Sequence, residues 1–326
     1  MKEFNYLIDK LSSSDFISSP FKMLKIDDFL NESHFNEIIK SSEVNTPVFD
    51  NDLQMFEHLF HSGYKIIDFP GCIQHSKDYI KWHQDKKVTQ STNTTCESFG
   101  MTLRLMSINS QLLSELNHFF QTDAVREILA NRFNLKIEEL YFDHGIQKYL
   151  DGYEISPHPD IRRKALTYML NINPNDQAHQ AIHHTHYLTL KKEYEFIEKF
   201  WRNRADVERC WLPWDWCETN FIQNKNNSIV IFSPNNSTLH AVKAEYDHLS
   251  AQRTQMYGNF WYKTNKPLKK ISWEAFDLDS FIHNDKTRAR SLLNYLPDSF
   301  KIPIKNFLGL TEKNYIKIDN QPDNYK

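Results

Sequence analysis

The sequence predicts an α+β fold: helices first, a β core from about residue 135 to 264, and a short mixed extension at the end. Three observations predict it. The clearest helical periodicity comes early, in "SQLLSELNHFFQTDAVREILANRF" (110–133), where Leu112, Leu113, Leu116, Phe119 and Phe120 fall at helical spacing. The texture then changes to short strand-like runs separated by Asn, Pro, Asp and Gly: "LYFDHGIQKYL", "ALTYMLNINP", "THYLTLKK", "NSIVIFSP", "TLHAVKA" and "TQMYGNFWYK". No internal repeat is visible, and such a succession of short strands suggests a β-sandwich or jelly roll.

The elements follow in order. "FNYLIDKL" carries a short helical pattern. "FKMLKIDDFLNESHFNEIIKSS" (21–42) reads as strand, turn and helix, with Asn31 or Ser33 as the cap and Phe35, Ile38 and Ile39 on the apolar face. "GYKIIDFPG" reads as a strand ending in a turn, and the polar "QDKKVTQSTNTTCES" as a loop. Inside the β core, "YEFIEKFWRNRADVERCW" reads as a helix. Beyond 264, "SWEAFDLDSF" and "TRARSLLNYL" return to helix-like patterning. The expected organisation is a helical and strand support region at 1–134, a core at 135–264 and a C-terminal extension at 265–326.

Composition narrows the function classes. A net charge of −3 gives no global field toward nucleic acid or an anionic membrane, so neither partner is expected. No apolar run approaches the ~20 residues of a membrane span. The N-terminus lacks the continuous apolar stretch of a signal peptide. Cys72, Cys96, Cys210 and Cys217 form no CxxC pair, so free thiols in a reducing cytoplasm are expected. Aromatic residues make up 14% of the chain, enough to fill a sizeable core.

The chemistry-bearing residues lie in three segments. In "GYEISPHPD", His158 and Asp160 follow a strand and an Asp151–Gly152 turn. At i and i+2 on extended backbone they share a face and can supply a nitrogen and an oxygen to one ion. Pro159 between them stiffens the backbone. In "NSIVIFSPNNSTLHAV", His240 begins a strand and has apolar neighbours. Two histidines, a carboxylate and open positions match the ligand set of non-haem Fe(II) oxygenases. In "AQRTQMYGNFWYK", Arg253 is expected on a strand adjacent to that of His240, facing the same cavity. A guanidinium there suits a carboxylate, to which it donates two parallel hydrogen bonds.

"YLDGYEISPHPD" resembles the Y-x-x-G-x-x-x-x-P-H-x-D signature of prolyl 4-hydroxylase-like 2-oxoglutarate/Fe(II) oxygenases, with Tyr149, Gly152, Pro157, His158 and Asp160 on family positions. "SIVIFSPNNSTLHAVKA" and "QRTQMYGNFWY" resemble the later strands of that family, and "FKMLKIDDFLNESHFNEII" the way such domains begin. The resemblance spans roughly residues 21–264, which it takes as one catalytic domain. It implies a double-stranded β-helix (jelly-roll) core with the N-terminal helices packed on it. It also implies Fe(II) held by His158, Asp160 and His240, and 2-oxoglutarate held by Arg253 with help from Tyr149. The implied reaction hydroxylates a peptidyl proline, a free amino acid or another small molecule with dioxygen, releasing succinate and CO2, with ascorbate as a reductant. A non-catalytic or cupin-like metal-binding jelly roll is the alternative.

The chain departs from the pattern in three places, and one aromatic cluster stands apart. Arg253 lies far from His240, so "EYDHL" reads as a small insertion, and Lys243 is the alternative carboxylate partner. Met169-Leu170-Asn171 stands where Tyr-Leu-Asn is common, leaving Tyr149 or Tyr168 to compensate. "NDQAHQAIHHTHYLTL" replaces a glycine-rich segment: within its "HQAIHHTHY", His184 and His186 form a second i, i+2 pair that reads as a metal ligand pair, a cleft lining or a polar loop, and the sequence assigns no role to His183. The Trp residues of "CWLPWDWCETNF" (the cluster at 211–216) read as packing or as an aromatic wall over the substrate.

Overall fold

The computed structural model describes residues 2–85, 95, 97–174, 183–204, 207–208, 210–263 and 315–317. Its helices are α1 (Asn5–Ser13), α2 (Glu32–Ile39), α3 (Asp52–His61), α4 (Ser76–Asp85), α5 (Gln111–Phe119), α6 (Asp123–Arg132) and α7 (Phe196–Asn203). The first strands are β1 (Phe16–Ile17), β2 (Met23–Ile26), β3 (Tyr64–Asp68) and β4 (Thr102–Leu105). Next come β5 (Leu140–Tyr149), β6 (Glu154–His158), β7 (Lys164–Asn171), β8 (Thr185–Leu190) and β9 (Cys217–Ile222). The last are β10 (Ile229–Phe232), β11 (His240–Lys243), β12 (Arg253–Tyr262) and β13 (Tyr315–Lys317).

Two sheets result. Nine strands pair in the order β1-β2-β10-β7-β12-β5-β4-β3-β13, and four in the order β6-β11-β8-β9. Pairing is antiparallel except where β13 joins β3 in parallel. From β5 onward the chain passes back and forth between the sheets, so loops at the strand ends gather beside the space between them.

Side-chain alternation divides the large sheet. Ile146 on β5, Leu166, Tyr168 and Leu170 on β7, and Met256 and Phe260 on β12 join Leu7, Leu11, Leu113, Leu116, Phe119 and Phe120 of the helices in one core. The intervening residues Gln147 and Tyr149, Thr167 and Met169, and Arg253, Gln255, Tyr257 and Asn259 face the cavity between the sheets. Helices on one face thus leave the other free for polar chemistry.

Asn31 caps α2, its Oδ1 accepting from the His34 N–H at 2.8 Å. The helical region expected at 110–133 holds two helices, α5 and α6. Thr122 starts α6 by accepting from the Val125 N–H, and the break lets Phe119 and Phe120 both be buried, with Phe120 stacked on Tyr168 at 4.9 Å. Helices α3 and α4 escape a sequence reading because histidines and charges interrupt their apolar stripes. Strands β6 ("EISPH") and β9 ("CETNFI") escape it because they hold few apolar residues. Of the helix expected across 194–211, the described residues form α7 after a turn of 3₁₀ helix at Lys192–Tyr194. Most of the polar loop at 84–98 and the helix-like C-terminal patterns lie outside the described residues.

Cys72, Cys210 and Cys217 are free and buried, and burial pushes each thiol up to about 12, so they are unreactive. No helix among the described residues is long and apolar enough to cross a membrane.

A buried polar network fastens the helices to the strand ends. Asp52, the first residue of α3, meets His83 Nδ1 at 2.8 Å and His248 Nε2 at 2.8 Å through its two oxygens. His83 Nε2 reaches Asp151 Oδ2 at 3.2 Å, and the Asp151 N–H donates to His248 Nδ1 at 2.9 Å. Gly152 follows with φ +75°, and a Cβ there would meet the Trp82 ring at 2.1 Å, so only glycine fits the turn. Burial alone would raise the Asp52 carboxyl, but its bonds to both imidazoles outweigh that and hold it well below the usual range. A carboxylate depressed in the folded state stabilises the fold above its unfolded pKa and ceases to as pH falls through the folded value. Asp52→Ala is expected to cost about 3 kcal/mol at pH 7 in denaturant unfolding. The gap between wild type and variant should narrow as pH drops below 3.8, the ordinary aspartate value; a constant gap would refute the ionic role.

Candidate functional site

His158 ends β6, His240 begins β11, and the two are direct cross-strand partners in the small sheet. Their rings lie 4.3 Å apart. Asp160 follows with φ +68°, a left-handed conformation that aspartate tolerates better than most residues. Asp160 Oδ1 lies 3.6 Å from His158 Nε2, and Oδ2 lies 3.6 Å from His240 Nε2. That is too long for a hydrogen bond and fits ligands each about 2 Å from one shared ion.

The histidines are oriented for that task. His158 Nδ1 faces the Ser156 carbonyl at 2.9 Å, and His240 Nδ1 faces the Thr238 carbonyl at 3.1 Å. Each carbonyl can only accept, so Nδ1 carries the hydrogen and Nε2 presents its lone pair. Burial pushes the His240 imidazole down to about 3, so it is neutral at physiological pH. Burial would raise the Asp160 carboxyl, but the Lys164 ammonium outweighs that and holds it well below the usual carboxylate range. Lys164 Nζ donates to Asp160 Oδ1 at 2.6 Å, and Thr167 Oγ1 donates to Oδ2 at 3.1 Å, which fixes the carboxylate plane.

Among the described residues one other trio has ligating atoms this close: Asp52, His83 and His248. Its nitrogen–oxygen distances are hydrogen bonds. With His248 Nδ1 receiving the Asp151 N–H, Nε2 must carry the hydrogen and has no lone pair for a metal. The expected pair His184 and His186 belongs to neither group. His186 meets Thr219 Oγ1 at 3.1 Å and the edge of Trp214, His183 stacks on Tyr246, and His184 is fully buried beside His183.

The trio opens into a cavity of about 170 Å³ that Arg253 and Tyr149 also line. Arg253 begins β12, which lies in the large sheet, not beside β11 as expected. The two strands meet the cavity from opposite walls, because the chain changes sheets between them. Arg253 is 1% exposed and lies over the Tyr149 ring at 4.7 Å. Its Nη2 donates to Thr185 Oγ1 at 3.0 Å, whereas Nε and Nη1 have no partner among the described residues. Burial lowers its pKa, but a guanidinium stays charged. A buried cation with two unmatched N–H groups facing a cavity is a place for an anion.

The "EYDHL" segment explains the long spacing before Arg253. Tyr246 Oη accepts the Arg253 N–H at 2.9 Å and donates to the Tyr149 carbonyl, and His248 joins the Asp52 network. Lys243 pairs with Glu245 at 3.2 Å and does not line the cavity, so it is not the carboxylate partner. Tyr168 lies on the helix side of β7, hydrogen-bonded to His144, and cannot replace a cavity tyrosine. Tyr149 lines the cavity with its ring, and its hydroxyl donates to Gln147 Oε1 at 2.6 Å. The Trp cluster divides: Trp211 lines the cavity, Trp214 Nε1 donates to Glu154 at 2.8 Å, and Trp216 stacks on Tyr194. The sequence reading missed Lys164, Tyr257, Trp261 and the pair Arg104–Asp143, all cavity-lining. Alternation along β5 and β12 carried the signal for Asp143, Tyr257 and Trp261.

No protein-family model matches the sequence, and no curated protein does. The solved structures it resembles include prolyl 4-hydroxylases and other 2-oxoglutarate/Fe(II) oxygenases. One is a prolyl-4-hydroxylase from Pseudomonas putida, 10% identical, matched over 80% of this chain and 100% of that one with a TM-score of 0.35. Another is a prolyl hydroxylase from Trichoplax adhaerens in complex with a hypoxia inducible factor peptide fragment, 14% identical over 80% and 89% of the two chains, TM-score 0.34. A third is HygX from Streptomyces hygroscopicus with nickel and 2-oxoglutarate bound, 8% identical over 65% and 86%, TM-score 0.29.

The geometry predicts one tight divalent-metal site. Titration of the metal-free protein with Co(II), followed by visible absorption, should saturate at one equivalent. His158→Ala or His240→Ala should weaken binding by about 100-fold or more, whereas His248→Asn should leave it intact. Cobalt lost with His248 instead would place the metal in the wrong cluster.

Proposed function

We propose that the protein is an Fe(II)- and 2-oxoglutarate-dependent oxygenase, with β5–β12 forming a double-stranded β-helix and residues 21–264 one catalytic domain. The observation that carries this reading is that two imidazoles turning their Nε2 atoms toward one carboxylate, and a buried, half-satisfied guanidinium, open into one cavity. 2-Oxoglutarate complements that arrangement: a keto-acid end for a metal and a distant carboxylate for an arginine.

His158, Asp160 and His240 would hold the iron, a set that suits Fe(II) and leaves positions open. Lys164 and Thr167 fix the Asp160 oxygens so that the carboxylate keeps one orientation. Arg253 would receive the far carboxylate through Nε and Nη1, with Tyr149 packed against its plane. Ile155, Val242 and Trp211 line the same space with apolar surface that limits water. When bound, iron supplies the activation of dioxygen that is coupled to conversion of 2-oxoglutarate to succinate and CO2. The protein's part is to hold the co-substrate and the substrate side by side. The substrate is an organic molecule, a peptidyl proline, a free amino acid or another small molecule, and ascorbate would serve as reductant.

Anaerobic addition of Fe(II) and 2-oxoglutarate should produce a weak visible charge-transfer band, and air should then yield succinate. His240→Ala should abolish both. Arg253→Ala should weaken 2-oxoglutarate binding on the order of 100-fold, the loss expected for two charge-assisted hydrogen bonds. A non-catalytic or cupin-like protein would give neither band nor succinate, and unchanged 2-oxoglutarate affinity in the Arg253 variant would remove that residue from its role.

A further inference from the structure

We propose that the substrate is a free α-amino acid, recognised through its own two charges by Arg104 and Asp143. The proposal rests on the oxygenase reading for the reaction and on a separate part of the cavity for the recognition.

Arg104 on β4 and Asp143 on β5 form a two-pronged ion pair inside the cavity wall, Nη1–Oδ1 2.8 Å and Nη2–Oδ2 3.3 Å, with side chains 10% and 9% exposed. Arg104 reaches Asp143 by crossing Gly145. A Cβ at that glycine would meet the arginine stem at 3.1 Å, so the sequence keeps a gap there for it. Two charges taken out of water are a weak source of stability and are often replaceable by apolar residues without loss. Strands β4 and β5 are already joined by backbone pairing from Thr102–Tyr149 to Arg104–Gln147. A role in recognition accounts for the pair better than a role in holding the strands.

Placement supports this. Asp143 is the cross-strand partner of Asn259, and Asn259 of Thr167, so the three stand in a row over β5, β12 and β7. Thr167 Oγ1 lies 3.1 Å from both Asn259 Oδ1 and the Asp160 carboxylate, and its one hydrogen can serve either acceptor. The row spans two strand spacings, about 10 Å, and ends at the candidate metal ligand. A molecule held by a charged head at Arg104–Asp143 would extend a short side chain along the row toward the metal.

Charge narrows the class. Lys164 neutralises Asp160, and Arg253 is reserved for the co-substrate. Arg104 and Asp143 already neutralise each other, so a ligand bearing one charge would be repelled by one partner. A zwitterion laid antiparallel matches both without opening the pair. The ammonium and carboxylate of an α-amino acid sit on one carbon, as close together as the two side chains are. A peptide-linked residue has lost both charges. Aromatic Tyr257 and Trp261 beside the row supply surface for an apolar side chain.

The test is calorimetry on the full chain loaded anaerobically with Fe(II) and 2-oxoglutarate, using the twenty free L-amino acids as probes. Each binder is repeated as its N-acetyl and its carboxamide form. At least one free amino acid should bind, and blocking either charge should weaken it on the order of tenfold or more. Asp143→Asn, which keeps the side-chain shape and an acceptor for Arg104, should weaken the free form to a similar extent while no longer discriminating against the N-acetyl form. The visible band of the iron–co-substrate complex reports separately on the cofactor site. Amino-acid binding without that band would sink the oxygenase reading and keep this one. The band with no binder in the panel, or with blocked forms binding as well as free ones, would overturn this one.

Discussion

The cross-strand pairing of His158 with His240 is the constraint on which the site depends. Two residues 82 positions apart in the chain become neighbours because β6 and β11 share one register in the small sheet, and a register slip of one residue would turn both imidazoles away. Asp160 completes the trio only because the backbone turns left-handed after Pro159. The simple reading of an extended HxD segment is therefore incomplete: the carboxylate arrives by a turn, not by strand alternation.

What surrounds the trio decides its chemistry. The same set, one aspartate and two histidines, occurs twice among the described residues, once as Asp52, His83 and His248 and once as His158, Asp160 and His240. In the first, a backbone N–H occupies the far nitrogen of His248, so the near one carries a hydrogen and the group is a polar fastener. In the second, backbone carbonyls occupy the far nitrogens, so the near ones carry lone pairs. One reversed hydrogen bond at the back of a ring separates a structural cluster from a ligand set.

The fastener and the site are mechanically joined. His248 and Tyr246 come from the segment that separates β11 from β12. One ties into the helices through Asp52, and the other bonds the backbone N–H of Arg253. The stretch of chain between His240 and Arg253 thus becomes the brace for the guanidinium. In the cavity Lys164 pairs with Asp160 and Arg104 with Asp143, while Nε and Nη1 of Arg253 have no partner among the described residues.

The sequence by itself determined the order of helices then strands, the cap at Asn31, the buried run of β10, and the identities of His158, Asp160, His240, Arg253 and Tyr149 as cavity residues. The cap and the apolar run are local, written in consecutive residues, whereas the cavity residues were legible through short motifs that resemble those of a known family. It did not yield α3, α4, β6 or β9, whose apolar patterns are diluted by polar residues that the tertiary structure uses, such as Asp52 in the fastener and Glu154 under Trp214. Only the tertiary structure decided that β11 and β12 belong to different sheets, that Tyr168 faces the helices while Met169 faces the cavity, and that Lys164, Arg104 and Asp143 enter the site. Each of those depends on which strands pair and in which register, and that is set by contacts between residues far apart in the chain.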